Sequence, residues 1–206
     1  MTAAADILRA LNVRGMAELS AVTLEEAWRG STRGASLVAL LAKAHERGLL
    51  ARQTLIRAVL ACAHEALIDL PDGDERPLAA FDAVDRWARG DGSLRAVDEA
   101  LGGAQAALAE LLSLPRPVGE LGEDGLAQIR AIEAAEMVVA VARATIVPSS
   151  EPATAAAFVI DATMIEADSA EAVRVAVDWV EARRAIRQLE AIVIEEQATA
   201  GGGDEP

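Results

Sequence analysis

Tyrosine is absent from this chain, and aromatic residues make up only 2% of its 206 residues. Any core must therefore be built from Ala, Val, Leu and Ile, which bury enough area only when backbones approach closely. Packed helices meet that demand, whereas sheets favour aromatic and β-branched residues. Cysteine occurs once, as Cys62, which excludes an intrachain disulfide. It falls on an apolar helical run, so a buried thiol is expected rather than a reactive one. Lysine also occurs once, as Lys43, and the formal net charge is −14. Phosphate binding needs a basic footprint, so this balance argues against nucleic acid as a partner. The two histidines, His45 and His64, are too few for most His-based metal sites, and neither Cys-x-x-Cys nor His-Glu-x-x-His occurs. No Gly-rich phosphate loop precedes the single lysine. No metal, no cofactor and no catalytic residue are expected. Residues 137–142 and 153–160, the longest apolar runs, are far too short to span a bilayer. The first residues lack the basic and apolar regions of a signal peptide. No membrane association and a cytoplasmic location are the resulting expectations.

What is present is helix signal. Thr2 is placed to cap a short first helix ending near Asn12. Thr23-Leu-Glu-Glu26 reads as a capping box, opening a helix through Trp28 that stops at Gly30. Ser36 is expected to cap a helix over residues 37–47, with Gly48 as its C-terminal cap. A helix over residues 49–70 carries Leu49, Ile56, Leu60, Ala63 and Leu67 on one face, and Pro71 stops it. After the turn residues Asp72-Gly73, Asp74 caps a helix with Leu78, Phe81, Val84 and Ala88 apolar, ending at Gly90. Ser93 caps the next, whose Leu94, Val97, Leu101, Ala104, Leu108 and Leu111 form the cleanest three-four stripe. Gly102-Gly103 inside it costs about 2 kcal/mol against alanine. A close helix crossing and a kink remain open as explanations.

Residues 113–125 hold two prolines and three glycines and read as a linker. Helix resumes over 126–147, apolar nearly all round towards its end, which predicts a central, buried element. Pro148 to Pro152 breaks the chain, and a further helix covers 153–166. Asp168-Ser-Ala-Glu171 is another capping box, opening a last long helix to about Gln197, and 201–206 is expected to be a disordered tail. These signals predict an all-α, single-domain bundle of about nine helices over residues 1–200. Arg76-Pro77 and Glu151-Pro152 recur at an offset of about 75 residues, as do Ser93 to Val97 and Ser169 to Val173. The chain is therefore compatible with two quasi-repeated halves, 1–113 and 126–198.

The sharpest local pattern is Pro71-Asp-Gly-Asp-Glu-Arg-Pro77, a polar, charged knuckle between two apolar helices. As structure it is an αα-hairpin turn; as function it is an acidic recognition loop. With Cys62-Ala-His-Glu-Ala-Leu67 before it and Trp87-Ala-Arg-Gly90 after it, the pattern resembles the immunity protein family of bacterial polymorphic toxin systems. Cys62, Asp74, Arg76, Pro77, Trp87 and Gly90 fit, while His64 stands where Glu is expected. The resemblance covers residues 53–112. It implies a small all-helical, non-enzymatic protein that silences a toxin by binding it. The net charge suits a basic protein partner. The candidate partner-binding residues are Asp72, Asp74, Glu75 and Arg76, with Arg76 expected to hold the loop through a neighbouring carboxylate. Trp87 is expected to anchor the core beneath the turn.

Two alternatives remain: a helical adaptor that binds a partner helix in a groove between its halves, and an enzyme whose site is assembled from distant residues. Glu133 and Glu136, three apart on a helix, form a carboxylate pair of a kind commonplace on solvated helices rather than a metal site, and Ser31, Ser36 and Ser93 read as loop or cap serines with no nearby His to activate them in sequence. Arg174, Arg183, Arg184 and Arg187, interleaved with Glu171, Glu181 and Glu190, are expected to form surface pairs three and four apart, worth a few tenths of a kcal/mol each.

Overall fold

The computed structural model describes residues 4–13, 16, 21–115, 122–146 and 168–201. Their secondary structure is helical throughout, with no strand among the described residues. The elements are α1 (Ala4–Ala10), α2 (Leu24–Gly30), α3 (Gly34–Glu46), α4 (Arg52–Ala63), a 3-10 helix (His64–Asp69), α5 (Glu75–Arg89), α6 (Leu94–Ser113), α7 (Glu123–Ile146), α8 (Asp168–Ala176) and α9 (Trp179–Gly201).

Several boundaries follow their caps. Thr23 accepts from the backbone N–H of Glu26, whose carboxylate reaches back to the N–H of Thr23, completing the capping box. Ser93 accepts from Ala96 N–H at 3.2 Å. Gly48 and Gly90 stand at φ 71° and 89°, the left-handed conformation that closes a helix without a Cβ clash. Asn12 does the same for α1 at φ 55°, with Val13 N–H returning to the Leu8 carbonyl at 2.9 Å.

Three boundaries differ from expectation. Helix α3 begins two residues before Ser36, with Arg33 at the N-cap, and Ser36 is buried inside the helix. The helix expected over 49–70 starts at Arg52 and tightens into the 3-10 segment at His64, so Pro71 ends a 3-10 helix rather than an α-helix. The last long helix is two. Asp178 accepts from Val180 N–H at 2.8 Å and caps α9 afresh, two residues past the end of α8. The expected cap at Thr2, the helix over 153–166, the second turn of the repeat and most of the tail lie outside the described residues.

One buried cluster draws on all nine α-helices found among the described residues, from Ala4 to Val193, and it is largely Ala, Val, Leu and Ile. Helix α4 is the pivot: it packs on α3, α5, α7 and α8. Helices α5, α6 and α7 pack mutually, as do α3, α4 and α8, while α9 lies against α1, α2 and α3. The second half of α7 is buried through Met137, Val138, Val141 and Ala142, as its all-round apolar pattern demands, but Leu126 and Ile129 near its start are exposed. Helix α6 runs unbroken through Gly102-Gly103. A Cβ on Gly102 would meet open space, and one on Gly103 would touch the Arg76 stem at an ordinary 3.6 Å. Close approach therefore requires neither glycine.

Candidate functional site

The knuckle is held by one guanidinium. Gly73 turns the chain at φ 86°, and Asp74, at the N-cap of α5, accepts from Arg76 N–H at 3.1 Å. The Arg76 side chain folds back on the same carboxylate, donating from Nε to Oδ1 at 2.9 Å and from Nη2 to Oδ2 at 2.8 Å. It also reaches Glu110 on α6, at 2.8 Å from Nη1 and 2.6 Å from Nη2. A planar fork gripping two carboxylates fixes both ends at once. Hydrogen bonding to Arg76 holds the Asp74 and Glu110 carboxyls below their ordinary values, and Glu110 and then Asp74 raise Arg76. Asp74 and Arg76 thus brace α5 against α6, while Asp72 and Glu75 stand exposed. Trp87 is half-buried against the core, with the Arg52 guanidinium 6.0 Å from its ring centre.

Next to the knuckle the surface opens into a groove of about 1220 Å³ between α4, the 3-10 helix and α5 on one side and α8 on the other. Leu60, Ala61, Leu67 and Phe81 give it an apolar lining, joined by Val175, which is 78% exposed, and Leu78, which is 42% exposed rather than turned into the core. The His64 ring meets Phe81 edge-on, with centroids 6.3 Å apart. Asp82, Asp85 and Glu171 add three carboxylates to the groove; Arg57 and Arg89 also border it, and Arg89 is paired to Asp85 at 3.0 Å. The apolar lining comes from the helical periodicity of α4 and α5, but its alignment with α8 is a tertiary fact with no local signal.

A second polar system centres on α9, and it changes the reading of the arginines. Arg183 and Arg187 do not pair along their own helix. Both reach Glu25 on α2, at 3.1 and 2.9 Å, and Arg29 meets the same carboxylate at 2.6 Å. Hydrogen bonding to Arg183 and then Arg187 outweighs desolvation and lowers the Glu25 carboxyl. Glu190 accepts from Leu24 N–H at 3.1 Å, and Glu181 accepts from Thr54 Oγ1 at 2.7 Å and from Ala51 N–H at 3.4 Å. Carboxylates from α9 therefore serve the N-terminal ends of α2 and α4, where unsatisfied N–H groups and the helix dipole favour negative charge. Arg174 donates to the carbonyls of Trp28, Arg29 and Ser31 at the opposite end of α2. Only Arg174–Glu171, at 3.4 Å, is a surface pair of the expected kind. Trp28 is buried and stacks on Trp179, with centroids 6.3 Å apart and planes 25° apart. No sequence motif marks these ties. Asp178 and Glu181, spaced like a capping box before Trp179, were the one local clue to the break before α9.

Among the described residues no group of three or more His, Cys, Asp or Glu could hold a metal ion. The Ser31 hydroxyl is engaged with the backbone of Arg33, and Ser93 is a cap. Cys62 is buried. No described helix is long and apolar enough to cross a membrane. No protein-family model matches the chain, and no match is found among the curated proteins or the solved structures.

Proposed function

We propose that the chain is a non-catalytic binding protein that neutralises a basic protein partner by direct association, in the manner the resemblance to immunity proteins implies. The observation that carries the reading is the open groove beside the knuckle. Its volume and apolar lining suit an inserted partner segment, helical or extended. Asp82, Asp85 and Glu171 at the groove, with Asp72 and Glu75 at the knuckle, supply negative charge around it. The net charge of −14 would steer a basic partner towards such a surface, and the apolar residues would then hold it. The adaptor reading uses the same groove and differs only in what the partner does.

The experiment compares the full chain with Leu78→Asp/Val175→Asp as baits for purified candidate partners, beginning with a basic toxin encoded beside the gene. Both residues are solvent-exposed, so the variant is expected to keep the helical circular dichroism of the wild type. The reading expects tight, salt-sensitive association with the wild-type chain, at least tenfold weaker binding by the variant, and growth rescue on co-expression with the toxin. Equal binding by both chains refutes the groove. Binding without rescue favours the adaptor.

A further inference from the structure

Arg57 stands in the wall of the groove beside the knuckle with most of its hydrogen-bonding capacity unmatched. A guanidinium carries several N–H donors and no acceptor. One of these donors is used, from Nη2 to Thr54 Oγ1 at 3.2 Å. Nε is buried and finds no acceptor among the described residues, and Arg57 forms no ion pair among them. The head is nevertheless held in place. Thr54 is buried and itself donates to Glu181 Oε2 at 2.7 Å, so one hydroxyl ties the guanidinium to α9. Glu181, behind that hydroxyl, offsets the charge of Arg57 without accepting from it.

Arginine donors have a consistent use elsewhere in this chain. Arg174 donates to three carbonyls at the end of α2, and Arg52 donates to the Ala144 carbonyl in the last turn of α7. The last carbonyls of a helix have no partner within it, and the helix dipole favours a cation there. Arg57 has no such helix end before it among the described residues. Its position along the groove is defined, because α4 and α5 run antiparallel, with His64 beside Phe81 and Arg52 beside Trp87. Arg57 therefore lies away from the knuckle and Leu67 next to it, about 16 Å apart along α4 and the 3-10 helix, which is about three helical turns. Asp82, Asp85 and Glu171 outnumber Arg57 and Arg89 along the groove, so an acidic segment is disfavoured. A carbonyl oxygen meets Arg57 without setting a full negative charge beside those carboxylates.

Resting on the groove as the binding surface, we propose that its occupant is an α-helix of the protein partner, lying with its C-terminal end at Arg57. The free carbonyls of its last turn accept from the guanidinium, its apolar stripe covers Phe81 and Val175, and its basic side chains face Asp82, Asp85 and Glu171. Its N-terminal end then points to the knuckle, where the exposed Asp72 and Glu75 suit the positive end of the dipole. A helix inserted the other way brings N–H groups to Arg57, which has nothing to accept them. The partner segment is thereby narrowed from any basic stretch to a helix that ends inside the groove.

The test titrates the full chain, by calorimetry, with an amidated leucine–lysine peptide of about four helical turns. The proposal expects saturable binding by the wild type and about tenfold weaker binding by Arg57→Met, which keeps the stem and removes the donors. Charge alone predicts the opposite sign, because taking a cation out of the groove tightens its hold on a cationic peptide. A second measurement leaves the chain unaltered. A nitroxide on the C-terminal end of the peptide should broaden the Arg57 Nε–H resonance of the wild type, and one on the N-terminal end should not. Unchanged or tighter binding by Arg57→Met, equal or greater broadening from the N-terminal label, or no saturable binding by the wild type overturns the proposal. The groove reading fails separately, when Leu78→Asp/Val175→Asp binds as the wild type does. Loss of peptide binding in that double variant with full binding by Arg57→Met keeps the groove and overturns the oriented helix.

Discussion

Replacing Arg174 separates two accounts of the polar residues on the last two helices. If Arg174 only pairs with Glu171 at 3.4 Å, its loss costs a few tenths of a kcal/mol. In the structure it also donates to three carbonyls at the end of α2, those of Trp28 at 3.0 Å, Arg29 at 3.1 Å and Ser31. Hydrogen bonds from a charged donor contribute about 1.5–3 kcal/mol each in favourable settings. Three considerations lower the sum. The Arg29 carbonyl is exposed and rehydrates when the donor leaves. One nitrogen, Nη2, serves all three oxygens, so the bonds share strength. The buried Nε finds no acceptor among the described residues, and removing it relieves a cost. Arg174→Met keeps the apolar stem and removes the fork, and the expected loss is about 2 kcal/mol. For a chain of this size that lowers Tm by about 4–8 °C. Urea denaturation followed by circular dichroism measures it, with Glu171→Gln as the control. The surface-pair account predicts equal, small effects for both variants. The capping account predicts a large effect for Arg174→Met and a negligible one for Glu171→Gln. A loss below about 0.5 kcal/mol for Arg174→Met refutes the capping role.

Other perturbations have equally definite outcomes. A Cβ on Gly92 would lie 2.7 Å from the Trp87 backbone nitrogen and 3.0 Å from the Arg86 carbonyl carbon, so Gly92→Ala should cost about 1–3 kcal/mol in a denaturant titration. Gly102→Ala meets open space within α6 and should raise stability by about 0.5–1 kcal/mol in the same assay. Trp87→Ala removes a half-buried ring and should cost about 2 kcal/mol, less than the 3–5 kcal/mol of a fully buried tryptophan. The Glu25 carboxyl is lowered from its ordinary 4.5, so its contribution to stability is complete above about pH 4.5 and is lost as pH falls through the depressed folded value. Glu25→Gln should therefore be less stable than the wild type at neutral pH, and the difference should shrink in acid denaturation curves below pH 4.5.

The elements were legible where their signals are local. Thr23 with Glu26, Asp74, Ser93, Gly48 and Gly90 mark boundaries because a cap is decided within four residues. Ser36 misled because a serine near a helix start can also lie inside it, and here the three residues before it leave room for an earlier start. Pattern also located the buried end of α7. It could not locate Leu78, which lies on the apolar face of α5 by periodicity but opens into a groove because none of the described helices covers that position. At the knuckle the bracing of Asp74 by Arg76 was legible two residues away. Glu110, thirty-four residues on, was not. The groove beside the knuckle was illegible for the same reason. It joins residues of α5 and α8 more than eighty positions apart, and an Ala-rich background offers no side chain large enough to advertise its partner.

The polar ties follow from the composition of the core. An interior of Ala, Val, Leu and Ile contains few shapes that fit only one neighbour, so hydrophobic burial favours compact helices without strongly fixing how one slides along another. Directional groups supply what shape does not. Arg76 fixes α5 against α6, Glu190 with Arg183 and Arg187 fixes α2 against α9, Glu181 fixes α4 against α9, and Arg174 fixes α2 against α8. Each of these contacts joins a side chain to a helix end or a second side chain at one register, and a slide of one turn, 5.4 Å, would break it. The preference for arginine over lysine, eighteen against one, has the same origin: a planar fork can hold two partners in fixed directions, and an ammonium cannot.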